Sequence, residues 1–272
     1  MRRREFLGIL ASAASWPVAA QAQQPFRIKR LAIVHPAETT RNMASDGSSR
    51  FAAFFKELSG LGYVEGQNLR VERYSGQGRT DRYPELAQQV ISARPDVIFC
   101  TSLRLALNFK KATTTIPVVA LTADPILGGL VPSLARPDGN ITGVSTDAGA
   151  AIWGKRLELL TEMTNKSDRV RYICTQLHWD QPLGAAATIR EAARERNISL
   201  ESAILGKTLD YAEYGRVFAA MKLDQVNASL ISDEGEHIVH VRTIVEHATE
   251  SHIPAIYPFR EYAVLGGLAA YS

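Results

Sequence analysis

Leu31-Ala32-Ile33-Val34 is an unbroken apolar run. Phe51, Phe54, Phe55 and Leu58 follow at i, i+3, i+4 and i+7, and Leu69-Arg70-Val71-Glu72-Arg73-Tyr74 then alternates apolar with polar. A short apolar run reads as a buried strand, and a 3.6-residue period as one apolar helix stripe. Strict alternation reads as a strand with one wetter face. Gly60 and Gly62 end the helix. Strand, helix and strand in this order make a βαβ unit, which requires a parallel sheet.

The pattern continues outward from that unit. Thr80 is placed to cap a helix running to Ala93, and strands are expected at Asp96–Cys100, Pro117–Leu121 and Ile141–Ser145, with a helix from Ser102 to Ala112. The same alternation then restarts. A helix over 150–163 sets Trp153, Leu157 and Leu160 on one face; strands follow at 170–174, 200–205, 229–232 and 255–257, with helices at 182–196, 211–222 and 236–250. Ile238, Val241, Val245 and Ala248 form the stripe of the last helix. About nine strands are too many for one ordinary open sheet. The densest mid-chain turn signal is Ala135-Arg136-Pro137-Asp138-Gly139-Asn140. The expected fold class is therefore α/β, with two doubly wound parallel-sheet lobes joined by a hinge: 23–146 and 147–258. Ligands of such sheets bind beyond the carboxyl ends of the strands, so two facing lobes define a cleft that hinge motion can close.

The N-terminus adds an address. Arg2-Arg3-Arg4, a short apolar stretch from Leu7 to Ala14, and Ala20-Gln21-Ala22 have the order of a cleavable secretory signal over 1–22. The stretch is too short to span a bilayer, and no Cys lies in it for a lipid anchor. Arg3-Arg4-Glu5-Phe6-Leu7 fits the twin-arginine pattern as well as an ordinary basic leader. The expected location is the periplasm. Losing three Arg and one Glu with the leader lowers the net charge from +3 to about +1, which gives no argument for a nucleic-acid partner. Cys100 and Cys174 fall in expected buried strands, where inert thiols are the simpler reading than a disulfide.

Several blocks together resemble one family. They are Leu61-Gly62-Tyr63-Val64-Glu65-Gly66-Gln67-Asn68, Thr115-Ile116-Pro117-Val118-Val119, Asp124-Pro125 and Gly128 to Ser145, followed by Lys155-Arg156-Leu157-Glu158-Leu159-Leu160 and Ile253-Pro254-Ala255-Ile256-Tyr257-Pro258-Phe259-Arg260-Glu261-Tyr262. In order and spacing they are similar to the tryptophan/tyrosine-type substrate-binding proteins of ABC transporters. The resemblance implies a type I periplasmic binding-protein fold and a small solute, often an aromatic or branched amino acid. It implies an ABC permease with its ATPase as partner, and a monomer. Members run on beyond Gly266-Gly267-Leu268-Ala269-Ala270-Tyr271-Ser272, so the chain reads as C-terminally shortened, with residues 259–272 crossing back towards the first lobe. Gln176-Leu177-His178-Trp179-Asp180 departs from the family's Asn-Pro-rich loop.

Candidate ligand residues lie where strands end and helices begin, because free N–H groups and the positive dipole end favour a carboxylate there. Thr101 and Ser102 serve equally as helix cap or ligand contact. Asp124, after Thr122, is a turn former before Pro125 or a carboxylate for a ligand ammonium; the resemblance favours the second. Ser232 and Asp233 end a strand, and Asp233 with Glu236 has capping-box spacing, which makes the cap the stronger reading there. Glu38, Thr39 and Met43 lie in the loop after the first strand, where a solvated loop is the plainer account. Trp179 could stack on a planar solute or simply pack. Tyr257 and Arg260 flank an expected second hinge crossing. His237, His240 and His247 lack the i, i+4 spacing of helical metal ligands, so no metal and no cofactor are expected.

No G-x-S-x-G elbow or P-loop is present, and Gly76-Gln77-Gly78 lacks the third glycine of a dinucleotide fingerprint. An enzyme is not expected. The reading is a periplasmic solute-binding component of an ABC importer. The alternatives are a periplasmic ligand sensor feeding a membrane receptor, or a non-functional truncated copy.

Overall fold

A computed structural model describes residues 28–146, 149, 151–165 and 168–272; the expected leader over 1–22 lies outside the described residues. The first sheet is built from β1 (Lys29–His35), β2 (Leu69–Ser75), β3 (Val97–Cys100), β4 (Val118–Thr122) and β5 (Ile141–Ser145). Its strand order is β2-β1-β3-β4-β5, with every pairing parallel. Helices α1 (Ser49–Gly60), α2 (Tyr83–Ser92) and α3 (Leu103–Ala112) cover it. The run at 31–34 explains why both faces need covering. Leu31 and Ile33 pack with Phe51 and Phe55 of α1 on one face, and Ala32 and Val34 pack with α2 and α3 on the other. A strand buried on both sides reads as continuously apolar.

The second sheet holds β6 (Arg169–Thr175), β7 (Ser199–Leu205), β8 (Ala228–Ile231), β9 (Ala255–Tyr257) and β10 (Ala269–Ala270), in the order β10-β9-β8-β6-β7. Its pairings are also all parallel. Helices α4 (Ala151–Met163) and α6 (Ala185–Glu195) pack on one face through Trp153, Leu157, Leu160 and Ile189. Helices α7 (Tyr211–Leu223) and α8 (Val241–Ser251) pack on the other through Val217, Phe218, Ile244 and Val245. The one-turn α5 (Gln176–Trp179) follows β6, and α9 (Arg260–Val264) follows β9.

Three expectations are corrected. Thr80 caps no helix: a 3-10 turn over Thr80–Arg82 precedes α2, and the Thr80 amide and hydroxyl both donate to the Lys207 carbonyl. Residues 259–272 do not cross back: β10 pairs with β9 and extends the second sheet. Among the described residues the chain therefore passes between the sheets once, between Ser145 and Ala151, and Tyr257 and Arg260 flank no second crossing. Tyr257 instead stacks on Tyr262, with ring centroids 4.7 Å apart.

The two lobes also touch at a backbone stitch. The Leu209 amide donates to the Gly78 carbonyl at 2.9 Å and the Thr80 amide to Lys207 at 3.0 Å, with Arg79 and Thr208 forming an antiparallel bridge. Gly78 has φ +69°, and a Cβ there would lie 2.6 Å from the Leu209 carbonyl oxygen. Glycine is therefore needed for both conformation and approach. The Gly-x-Gly pair that failed as a nucleotide fingerprint serves this contact.

Candidate functional site

The carboxyl ends of the two sheets face each other across a cavity of about 150 Å³. In the second sheet β6 and β8 lie on opposite sides of the point where strand order reverses, which is where such sheets bind ligands. The first lobe contributes Leu103 and Leu107 of α3, and Leu121 and Thr122 of β4. The second contributes His178 after β6, Asp233 to Glu236 after β8, Ile238 and Val241, and Phe259 after β9. Arg50 of α1 also lines it. An apolar body with convergent charged groups is the ordinary composition of a small-molecule pocket.

Ser102 is the N-cap of α3. Its φ of −148° is extended, and its Oγ accepts from the Leu105 amide. The same hydroxyl donates across the cleft to Glu236 Oε1 at 2.9 Å, and the Tyr83 hydroxyl donates to the same oxygen at 3.2 Å. The expected capping box between Asp233 and Glu236 is absent: Glu234 is the N-cap of the 3-10 turn over Gly235–His240, with no side-chain cap bond, and the Glu236 carboxyl is committed to the first lobe. Gly235 makes this approach possible, since a Cβ there would lie 2.3 Å from the Thr101 carbonyl oxygen.

Arg104 sits in the first turn of α3, where the dipole opposes a cation. It extends to the second lobe, donating to Thr175 Oγ1 and lying 3.9 Å from Glu234 Oε1. Glu234 is almost fully enclosed. It accepts from the Thr175 amide at 2.9 Å, the Thr175 hydroxyl, and Ser232 Oγ at 2.8 Å. Burial would raise its carboxyl, but the charges of His178, His237 and Arg104 and the Thr175 bond together hold it well below the usual carboxylate range. Burial lowers His237 to about 4, so near neutrality that ring is uncharged. The His237 nitrogens meet Tyr214 OH and Ser232 Oγ, each at 2.7 Å. Glu236 is displaced the other way. Burial, and then the charge of Glu234, raise its carboxyl.

The structure brings together Ser102, Thr122 and Asp233 of the expected residues. Thr122 Oγ1 is buried with no hydrogen-bond partner among the described residues while its residue lines the cavity. Ser232 supports the wall from behind through Glu234 and His237. Thr101 lies beneath the lining, its Oγ1 also buried and unpartnered among the described residues. Asp124 is not in the lining: its Oδ1 accepts from the Ile126 and Leu127 amides, each at 2.9 Å, which is the local turn such a residue forms before proline. Glu38 closes its own loop, accepting from Asn42 Nδ2 at 2.8 Å and the Thr39 amide at 3.1 Å, and Met43 is core. Trp179 packs: Arg190 lies over its ring at 4.6 Å and donates to its carbonyl at 2.7 Å.

Sequence reading missed Arg104, Glu234, His178, Phe259 and Arg50. A cation on the first turn of a helix was the available signal for Arg104, because it needs an acid elsewhere. The density of acids in Ser232-Asp233-Glu234-Gly235-Glu236 after an apolar strand was the signal for Glu234.

The chain resembles known proteins over most of its length. The family described as ABC transporter substrate binding protein matches residues 47–272. A tyrosine-binding protein of Clostridioides difficile (strain R20291) is 31% identical over 121 residues, 44% of this chain and 34% of that protein, so the match spans about a third of that relative. A conserved domain protein of Vibrio cholerae O1 biovar El Tor superposes with a TM-score of 0.70 at 19% identity, covering 90% of this chain and 79% of the other. The ABC domain of a Streptococcus pneumoniae protein in complex with L-Trp gives 0.67 at 17% identity, covering 89% and 79%. A solute-binding protein of R. palustris in complex with benzoate gives 0.55 at 14%, covering 84% and 61%. At these identities the structural likeness is one of fold, that of the type I periplasmic binding proteins.

Proposed function

Because this chain belongs to the ABC transporter substrate binding protein family, a non-enzymatic class that binds small solutes, we propose that it captures an amino acid or related small carboxylate in the interlobe cavity and delivers it to an ABC permease with its ATPase. One observation carries the reading. One cavity between the lobes combines the apolar side chains of Leu103, Leu107, Leu121, Ile238, Val241 and Phe259 with Asp233 and the Thr122 hydroxyl, which has no partner among the described residues. An ammonium fits the acidic end, a carboxylate fits the hydroxyl and Arg50, and an apolar side chain fits between. The names of the relatives that bind tyrosine and L-Trp support an aromatic one. Closure buries the solute, and binding shifts the open–closed balance by the difference in affinity for the two states. Members of the family are typically periplasmic or extracellular, and the leader over 1–22 supports periplasmic residence by either export route, as a freely diffusing monomer.

Residues 23–272 titrated calorimetrically against the twenty amino acids and benzoate test this. We expect saturable binding of an aromatic amino acid, and a stabilisation of about 2.7 kcal/mol at a hundredfold excess over Kd. A well-folded sample that binds none of them, with no solute found by mass spectrometry of the purified protein, overturns the assignment.

A further inference from the structure

Glu236 stands apart from the other acids of the cavity because its partners belong to the opposite lobe. The residue is 2% exposed, and one carboxyl oxygen takes hydrogen bonds from the α3 cap Ser102 and from Tyr83 of α2. Every group facing it bears on its charge. Arg104 of α3 is a cation that bears on it, but that guanidinium reaches towards Glu234, which lies two residues away on the same turn and stays ionised on three hydrogen-bond donors with Arg104 3.9 Å away. Asp233 is acidic too, and Arg50 also lines the cavity without being among the charges that act on Glu236. Tyr83 and Tyr214 are neutral phenols, and His237 and His240 on its own turn are depressed by burial. His178 faces Glu234 from α5. One guanidinium therefore meets two enclosed carboxyls. Two like charges in one buried site do not both ionise.

We propose that Glu236 is a positioning residue that couples closure of the cleft to uptake of one proton: it is a carboxylic acid with the lobes together and a carboxylate with the lobes apart. Opening withdraws Ser102 and Tyr83 and returns the group to water, where it ionises as an ordinary glutamate. The closed form is then favoured at low pH. Its advantage declines as pH rises above the ordinary carboxylate range and is gone once the closed-state group ionises, by at most tenfold in the closed-to-open ratio per pH unit. The direction of the Glu236 shift agrees. The proposal rests on closure of the cleft, as in the preceding section, but not on the identity of the solute.

The test uses ligand-free residues 23–272. Small-angle scattering from about pH 5.5 to 8.5 is expected to show a radius of gyration that grows with pH in the wild type. It should stay at the compact value throughout in E236Q, whose amide keeps the acceptor oxygen and carries no proton to lose. Infrared difference spectra of the wild type across the same range should lose one protonated-carboxyl band, which requires no variant to fold. A pH-independent radius in the wild type, an E236Q curve that tracks it, or no lost carboxyl band overturns the proposal. None of these outcomes depends on whether an amino acid binds.

Discussion

The wall contributed by the first lobe holds Ser102, Thr122, Leu103, Leu107 and Leu121, and its charges are Arg50 and Arg104. The wall contributed by the second holds Asp233, Glu234, Glu236 and Glu261 beside His178. Cations face acids across a gap that closes to hydrogen-bond distance. Coulomb attraction draws such walls together, while desolvation offsets most of the gain once they meet. What survives is alignment: Glu234 meets Arg104, and Glu236 meets Ser102 and Tyr83, each at one place, so the lobes have one register that satisfies both acids.

Breaking that register at the cation has the largest expected effect. Arg104→Ala leaves Glu234 enclosed without its guanidinium. Losing one partner of a buried pair costs about 3 kcal/mol, less here for the three other donors that remain. Urea denaturation should show a lower midpoint, and scattering an opened cleft; an unchanged midpoint would mean that the acid wall is already satisfied within its own lobe. Gly235→Ala comes next. Its Cβ would meet the Thr101 carbonyl at 2.3 Å, and such overpacking costs about 1–3 kcal/mol, here charged to the closed form alone. Scattering should find the lobes apart while circular dichroism stays native; a compact variant with unaltered melting would show that the backbone yields cheaply. Thr122→Val is the smallest and the sharpest. The hydroxyl is buried and unpartnered among the described residues, so removing it should raise thermal stability by up to about 1 kcal/mol. Solute affinity should fall if that hydroxyl meets the ligand. Affinity equal to wild type would return Thr122 to the packing.

These effects separate what the sequence made legible from what it hid. The strand over Leu31–Val34 could be read because every one of its residues is buried, two against α1 and two against α2 and α3. The stripe at Phe51 and Phe55 was equally local. Ser102 was legible as a cap because capping is decided within three residues. Its second partner, Glu236, lies 134 residues away, and no periodicity encodes the relative placement of two lobes. The same distance misled the reading of Asp233 and Glu236, whose spacing fits a capping box that the Ser102 and Tyr83 hydroxyls pre-empt. Asp124 erred the other way: its own turn absorbs the carboxylate that was offered to a ligand. Thr80 could not be read as a cross-lobe donor, because its acceptor, the Lys207 carbonyl, bears no side-chain signature.

The stitch at Gly78 and Leu209 has a use as a clock. The Thr80 and Leu209 amides are held by carbonyls of the opposite lobe, so their protons exchange with solvent deuterium only when that seam parts. Amides inside each sheet are held by their own lobe and need local or global unfolding to exchange. The ratio of the two exchange rates, read on unlabelled protein, measures how often the molecule opens its mouth.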